Sequence, residues 1–186
     1  HVEFGHEALT PLRARQEMEL TRRLIEGFGR RMNSHVFPRG VPGHLDALKE
    51  SGIKVYRMHS PGDLEGTTEF CWKLRRFAGE ALAIPPRLSI PEIDSFGMTK
   101  LAGGLQLSCR GRWRKMIPAR LRVTRAMRGI KCASRTGGVF YLWSHPADFA
   151  ENPSVMLAMF DEICRRAASL RDAGKLDIIP LQGLAK

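Results

Sequence analysis

The residues best equipped for chemistry stand together at Ser144, His145 and Asp148, directly after the uncharged run Val139-Phe140-Tyr141-Leu142-Trp143. An imidazole takes and gives protons near neutral pH. The run itself is β-branched, aromatic and aliphatic, which predicts a strand buried on both faces, as in parallel sheets. Gly137 and Gly138 release the chain ahead of it, and Pro146, lacking an N–H, stops the ladder. The carboxyl ends of parallel strands collect the reacting groups of α/β proteins, so His145 is the first candidate acid or base. The plainer reading is a histidine that caps a strand.

A second group surrounds Phe37-Pro38-Arg39, where the plain reading of Arg39 is an ordinary loop salt bridge. His35 and His44 flank that loop and could line a cleft; His59 precedes Ser60-Pro61, and each also reads as a loop residue. His6 reads as a solvated loop histidine. Trp143 and Phe149 are aromatics near that strand end, with core packing the better reading for Trp143.

These residues need elements to hold them. The near-helical spacing of Leu12, Met18, Leu20, Leu24, Ile25 and Phe28 predicts an amphipathic helix from Pro11 towards Met32, stopped at Gly27 and Gly29 or just beyond. Ser34 to Arg39 predicts a brief strand, His44 to Ser51 a two-turn helix capped at Gly52, and Ile53 to Arg57 another strand. Thr68 opens a helix to about Ala83, Pro85, Pro86 and Pro91 make an extended connector, and Thr99 to Ser108 is a strand weakened by Gly103 and Gly104. Pro118 suits the first turn of a basic helix to about Cys132. A helix from Pro153 to Ala173, stopped by Gly174, and a strand from Leu176 to Ile179 complete the order. Alternating strands and helices predict an α/β fold, a βα barrel or an open parallel sheet with right-handed crossovers.

At 186 residues, 43% hydrophobic and 26% charged, the chain has the size and composition of one soluble globular domain. No apolar run approaches the roughly 18 residues of a membrane span, so no span is expected. Cys71, Cys109, Cys132 and Cys164 lack C-x-x-C spacing, which points to reduced, buried thiols and a cytoplasmic rather than secreted setting. The net charge of +11 attracts polyanions, and its densest part runs from Arg110 to Arg135. Only Trp113 interrupts that block as an aromatic, so nucleic acid is not the expected partner and a solvated basic face is.

With these parts placed, three stretches together resemble the later part of a polysaccharide deacetylase domain of the NodB-like type, a carbohydrate esterase family. They are Phe37-Pro38-Arg39 with His44-Leu45-Asp46-Ala47-Leu48-Lys49-Glu50 and Val55-Tyr56-Arg57; Val139 through Trp143-Ser144-His145-Pro146; and Leu170-Arg171-Asp172-Ala173-Gly174-Lys175-Leu176. The likeness runs over most of the chain. It implies a single deacetylase-like domain over residues 1–186, a distorted (β/α) barrel of parallel strands with outer helices, incomplete at its N-terminus. The family uses a divalent metal, commonly zinc, held by an Asp and two His, to activate water against an acetyl carbonyl. The implied function is removal of acetyl groups from an N-acetylated sugar or polysaccharide. His145 is then the acid that protonates the departing amine, Arg39 orients the base or contacts substrate, and Trp143, Tyr141 and His44 bind substrate.

The metal site matches less well. If His6 is the first ligand, the second belongs at position 10, where Thr10 stands, and threonine is a poor zinc ligand. If His1 and His6 are the pair, their spacing is one residue too long. The family's Asp-Asp strand should lie upstream of His1, and no Asp occurs before Asp46. The chain is therefore read either as a piece lacking the first βα units or as a relative without the metal site. The alternative function is a non-catalytic relative that binds anionic glycan or nucleic acid through residues 110–135. An incomplete barrel also leaves strand edges that a partner chain or a second copy could pair with.

Overall fold

A computed structural model describes residues 4–6, 9–59, 69–111 and 114–185, with only the backbone of Glu69 and Trp72. His1, Thr68 and Trp113 lie outside the described residues. The chain forms a mixed α/β structure that groups into two compact units: His1–Ser60 with Ile90–Ala102 and Ile179–Lys186, and Pro61–Ser89 with Gly103–Ile178.

The first unit holds a four-stranded sheet in the order β1-β2-β4-β3. Strands β1 (Ser34–Val36), β2 (Val55–Met58) and β4 (Thr99–Ala102) run parallel, and β3 (Glu92–Ile93) lies antiparallel on β4. Helix α1 (Pro11–Gly27) starts at Thr10, whose hydroxyl accepts the Arg13 N–H at 3.3 Å, and has Pro11 in its first turn. Its buried residues are Ala14 and Met18, whereas Leu12, Leu20 and Leu24 are exposed. Of the residues expected on its apolar face, Met18 is buried and Ile25 packs against the core, while Phe28 is exposed like the three leucines. Arg15 ties α1 to α2 (Leu45–Glu50), reaching Asp46 at 2.8 Å and Glu50 at 2.7 Å. Beneath them Phe4, Phe37, Leu48, Ile53, Tyr56 and Met98 form the core.

The second unit pairs β5 (Leu105–Gln106) in parallel with β6 (Leu142–Trp143). Around them are α3 (Glu69–Ala81), α4 (Ala119–Thr136), α5 (Pro146–Glu151) and α6 (Pro153–Asp172). Leu105, Leu107, Val123, Met127, Ile130, Met156, Met159 and Ile163 form its core. Burying such residues supplies roughly 25 cal/mol per Å² of apolar surface removed from water.

Three expectations change here. The strand foreseen over Val139 to Trp143 is regular only at Leu142–Trp143 and is half-buried, because its pair has two strands and both are edges. Val139 instead makes an isolated antiparallel bridge to Ser89. The weak strand from Thr99 divides at Gly103-Gly104 into β4 and β5; Gly104 has φ 111°, and a Cβ there would sit 2.8 Å from Tyr141 Cδ1. Leu176 to Ile179 is irregular, with Ile178 and Ile179 exposed and no strand among the described residues paired to it. Among the described residues the strands form these two sheets and no closed barrel is found, and no helix is long and apolar enough to cross a membrane.

Candidate functional site

In the first unit, the carboxyl end of β1 gathers the residues that the sequence singles out there. Pro38–Gly40 makes a tight 3-10 turn in which Arg39 takes a left-handed conformation, φ 54°, and exposes its side chain. Such a conformation costs a non-glycine residue about 1 kcal/mol or more and is held by its surroundings. Here the holding contact is His59, whose backbone N–H donates to the Gly40 carbonyl at 2.9 Å. Gly40 has φ 66° and lies so close that a Cβ on it would be 2.3 Å from the His59 ring. The loops after β1 and β2 are thereby locked together.

His44 also adopts a left-handed conformation, φ 49°, as the residue preceding α2, and its Nε2 lies 2.8 Å from the Leu9 carbonyl. The stretch Phe4-Gly5 crosses the same loop, since a Cβ on Gly43 would fall 1.9 Å from the Phe4 carbonyl oxygen. His6, at the end of that stretch, is exposed. Arg39, His44, His6 and also His59 therefore belong to one face of this unit. Deeper in, the His35 ring packs edge-on between Phe4 and Phe37, at 5.3 and 4.9 Å, and burial lowers its pKa to about 4. Its ring is thus part of the aromatic packing of this unit.

Of the expected metal ligands, His1 lies outside the described residues and Thr10 spends its hydroxyl on the α1 cap. Among the described residues no three His, Cys, Asp or Glu side chains gather in a way that could hold a metal ion. His6 alone does not make a site for zinc, which takes three or four protein ligands.

In the second unit, His145 sits where the sequence puts it, just past the carboxyl end of β6, but as the residue that opens a short helix, α5. Its ring is exposed and meets Trp143 edge-on at 5.1 Å. Tyr141 and Trp143 are half-buried, and their carbonyls accept the Leu105 and Leu107 N–H groups at 2.8 Å each. So His145, Trp143 and Tyr141 do come together on one edge.

Below His145 lies a carboxylate that is 2% exposed, Asp148. It accepts from Ser108 Oγ at 2.5 Å, the His145 backbone N–H at 3.0 Å, Gln106 Nε2 at 3.2 Å and Ser144 Oγ at 3.4 Å. Burial opposes its charge, but the hydrogen bonds from Ser108, the His145 backbone and Gln106, with the nearby His145 ring, outweigh that and hold its pKa below the usual value. With its lone pairs so occupied, Asp148 serves less as a base than as the fixed point that orients the first turn of α5 and the imidazole on it. Sequence reasoning found Asp148 and Ser144 by proximity. It missed Ser108 and Gln106, for which no sequence signal exists because they reach Asp148 from the neighbouring strand and its extension.

A further buried group centres on Glu80 of α3. Arg114 approaches it at 3.1 Å, Arg122 at 3.5 Å and Arg76 at 3.7 Å. Arg122 also donates to the carbonyls of Ile117, at 3.0 Å, and Arg114. Arg125 and Arg128 donate to the carbonyls of Ile84 and Ala83 at 2.9 and 2.8 Å. Arg114, Arg122 and Arg125 are thus committed inward, while Arg110, Lys115, Arg120, Arg128, Lys131 and Arg135 are exposed, so most of the described block is the solvated face that the sequence reads. Cys109 is buried and Cys71 and Cys164 are exposed, so the thiols are not uniformly buried as expected. When the chain was compared with family models, curated proteins and solved structures, no family model, no curated protein and no solved structure matched it.

Proposed function

We propose that this chain is a carbohydrate deacetylase-type hydrolase that removes acetyl groups from an N-acetylated sugar or polysaccharide, on a fold of the distorted (β/α) barrel kind. One observation supports this best: in each unit the candidate side chain, Arg39 in one and His145 in the other, follows the carboxyl end of a parallel strand and is exposed. That is where parallel α/β architectures place reacting groups.

In this reading water gives a proton to a carboxylate base as it adds to the acetyl carbon, the C–N bond breaks, and the departing amine nitrogen takes a proton from the His145 imidazolium as acetate leaves. Asp148 fixes the start of α5 and hence the direction from which His145 delivers that proton. Trp143 and Tyr141 offer ring surface to the sugar beside His145. The family's divalent metal, commonly zinc, belongs to this reading, but the described residues gather no ligand set for it, so none of these roles runs through a metal. The other reading is polyanion binding through residues 110–135: Arg114, Arg122 and Arg125 are engaged by internal partners, which leaves Arg110, Lys115, Arg120, Arg128, Lys131 and Arg135 exposed to carry it.

The test is acetate release from N-acetylglucosamine oligomers, with zinc supplied and with EDTA. Acetate release is expected, cut by about 100-fold or more in His145→Ala, the usual scale for losing a general acid. No acetate under either condition, or an unchanged rate in His145→Ala, overturns the proposal.

A further inference from the structure

The outer side of the second unit carries a groove that none of the roles above uses. It has a volume of about 280 Å³, near the lower end of small-molecule sites, and lies between α4 and the end of α6. Met127, Leu170 and Ala173 give it an apolar lining, and Lys131, Arg166 and Lys175 supply its cations. Helix α4 contains no acidic residue, and neither Lys131 nor Lys175 has a carboxylate partner among the described residues. Arg166 has Glu162 at 3.5 Å, but that carboxylate is shared with Arg165 at 3.0 Å.

The groove is also fixed in place. The Lys175 N–H donates to the Leu170 carbonyl at 2.9 Å, and the Lys175 carbonyl accepts the Ser134 hydroxyl from α4 at 2.9 Å. The N–H groups of Ala173 and Gly174 occupy the Ser169 and Arg171 carbonyls, at 3.2 and 2.8 Å, so these do not point unpaired at an incoming anion.

We propose that this groove binds a small phosphate-bearing ligand, the phosphate held by Lys131, Arg166 and Lys175 and a ring or short aliphatic part resting on Met127, Leu170 and Ala173. Three donor-only cations around one mouth match a single multiply charged group better than the spaced single charges of an acidic peptide. A polymer backbone would need a long stripe of charge and would leave the apolar lining unused.

Calorimetric titration at fixed ionic strength with glucose 6-phosphate, glucose and inorganic phosphate tests this. Glucose 6-phosphate is expected to bind, inorganic phosphate to bind more weakly, and glucose not to bind. Lys131→Gln and Lys175→Gln should each weaken the hexose phosphate by about tenfold, the scale of one lost charge-assisted hydrogen bond. Arg120→Gln, on the same helix but outside the groove, should leave it unchanged. No binding of the hexose phosphate, equal binding of glucose, or indifference to the lysine substitutions overturns the site. Equal weakening by Arg120→Gln overturns it in favour of a diffuse field, and phosphate binding as tightly as the hexose phosphate overturns the assigned ligand class.

Discussion

The Ser108 hydroxyl donates to Asp148 Oδ1 at 2.5 Å, joining the extension of β5 to the first turn of α5 through a buried carboxylate. That contact, with the His145 backbone N–H on Oδ2 at 3.0 Å, fixes how His145 leaves the strand end. Asp148→Asn would set an amide N–H against one of these donors, at a cost of about 1 to 3 kcal/mol. Because the folded carboxyl has its pKa below the ordinary 3.8, its contribution is present above that value and fades as pH falls below it. Thermal melts at pH 7 should show a lower Tm for Asp148→Asn, and the gap should narrow by pH 3. A gap independent of pH would show that the charge of Asp148 contributes nothing.

His35, in the other unit, makes a pH signal of the same sign in a higher pH window. Its ring is packed between Phe4 and Phe37, its Nε2 is buried with no hydrogen-bond partner among the described residues, and burial lowers its pKa to about 4 from 6.5. The unfolded chain then binds the extra proton first, so stability is full above about pH 6.5 and is lost as pH falls towards 4. Between pH 7 and pH 5 the loss should be about 2 kcal/mol. Urea midpoints in wild type and His35→Leu measure it: the substitution should remove that part of the slope, and identical slopes would sink the account.

Glu80 is the buried anion of a cationic group, with Arg114 at 3.1 Å and Arg122 at 3.5 Å. Glu80→Gln should cost about 3 to 5 kcal/mol, since it leaves buried guanidinium groups without a counter-charge. The double change Glu80→Gln with Arg122→Met should recover much of the loss. Chemical denaturation of the two variants reads the difference directly, and a double variant no more stable than the single one would contradict the pairing.

What was legible in the sequence follows from how local each signal is. Pro11, Pro118 and Pro153 with Gly137 and Gly174 mark helix limits through their own backbone preferences, and α1, α4 and α6 lie close to the predicted spans. His145 and Arg39 were legible because a strand end is a local event. The α1 face was legible only in part because Leu20 and Leu24 obey the same period as the buried Ala14 and Met18, and only tertiary packing decides which stripe is covered. The strand expected at Leu176 has no paired neighbour among the described residues, and no local pattern encodes such a neighbour. Ser108, Gln106 and Glu80 acquire their roles wholly from distant partners.

The lock between the loops after β1 and β2 can be tested at its narrowest point. A Cβ on Gly40 would enter the His59 ring, 2.3 Å from Cδ2, and would also sit in a left-handed conformation at φ 66°. Gly40→Ala therefore carries a conformational cost of about 1 kcal/mol and must in addition displace His59 or open the turn. His59→Ala removes the obstructing ring while keeping the backbone hydrogen bond from residue 59 to the Gly40 carbonyl. If the close approach matters, Gly40→Ala should lower Tm more in the wild-type background than in His59→Ala, by about the cost of an overpacked contact, 1 to 3 kcal/mol. Equal penalties in both backgrounds would mean that backbone conformation alone sets the cost, and that the two loops are held together by the hydrogen bond without help from the ring.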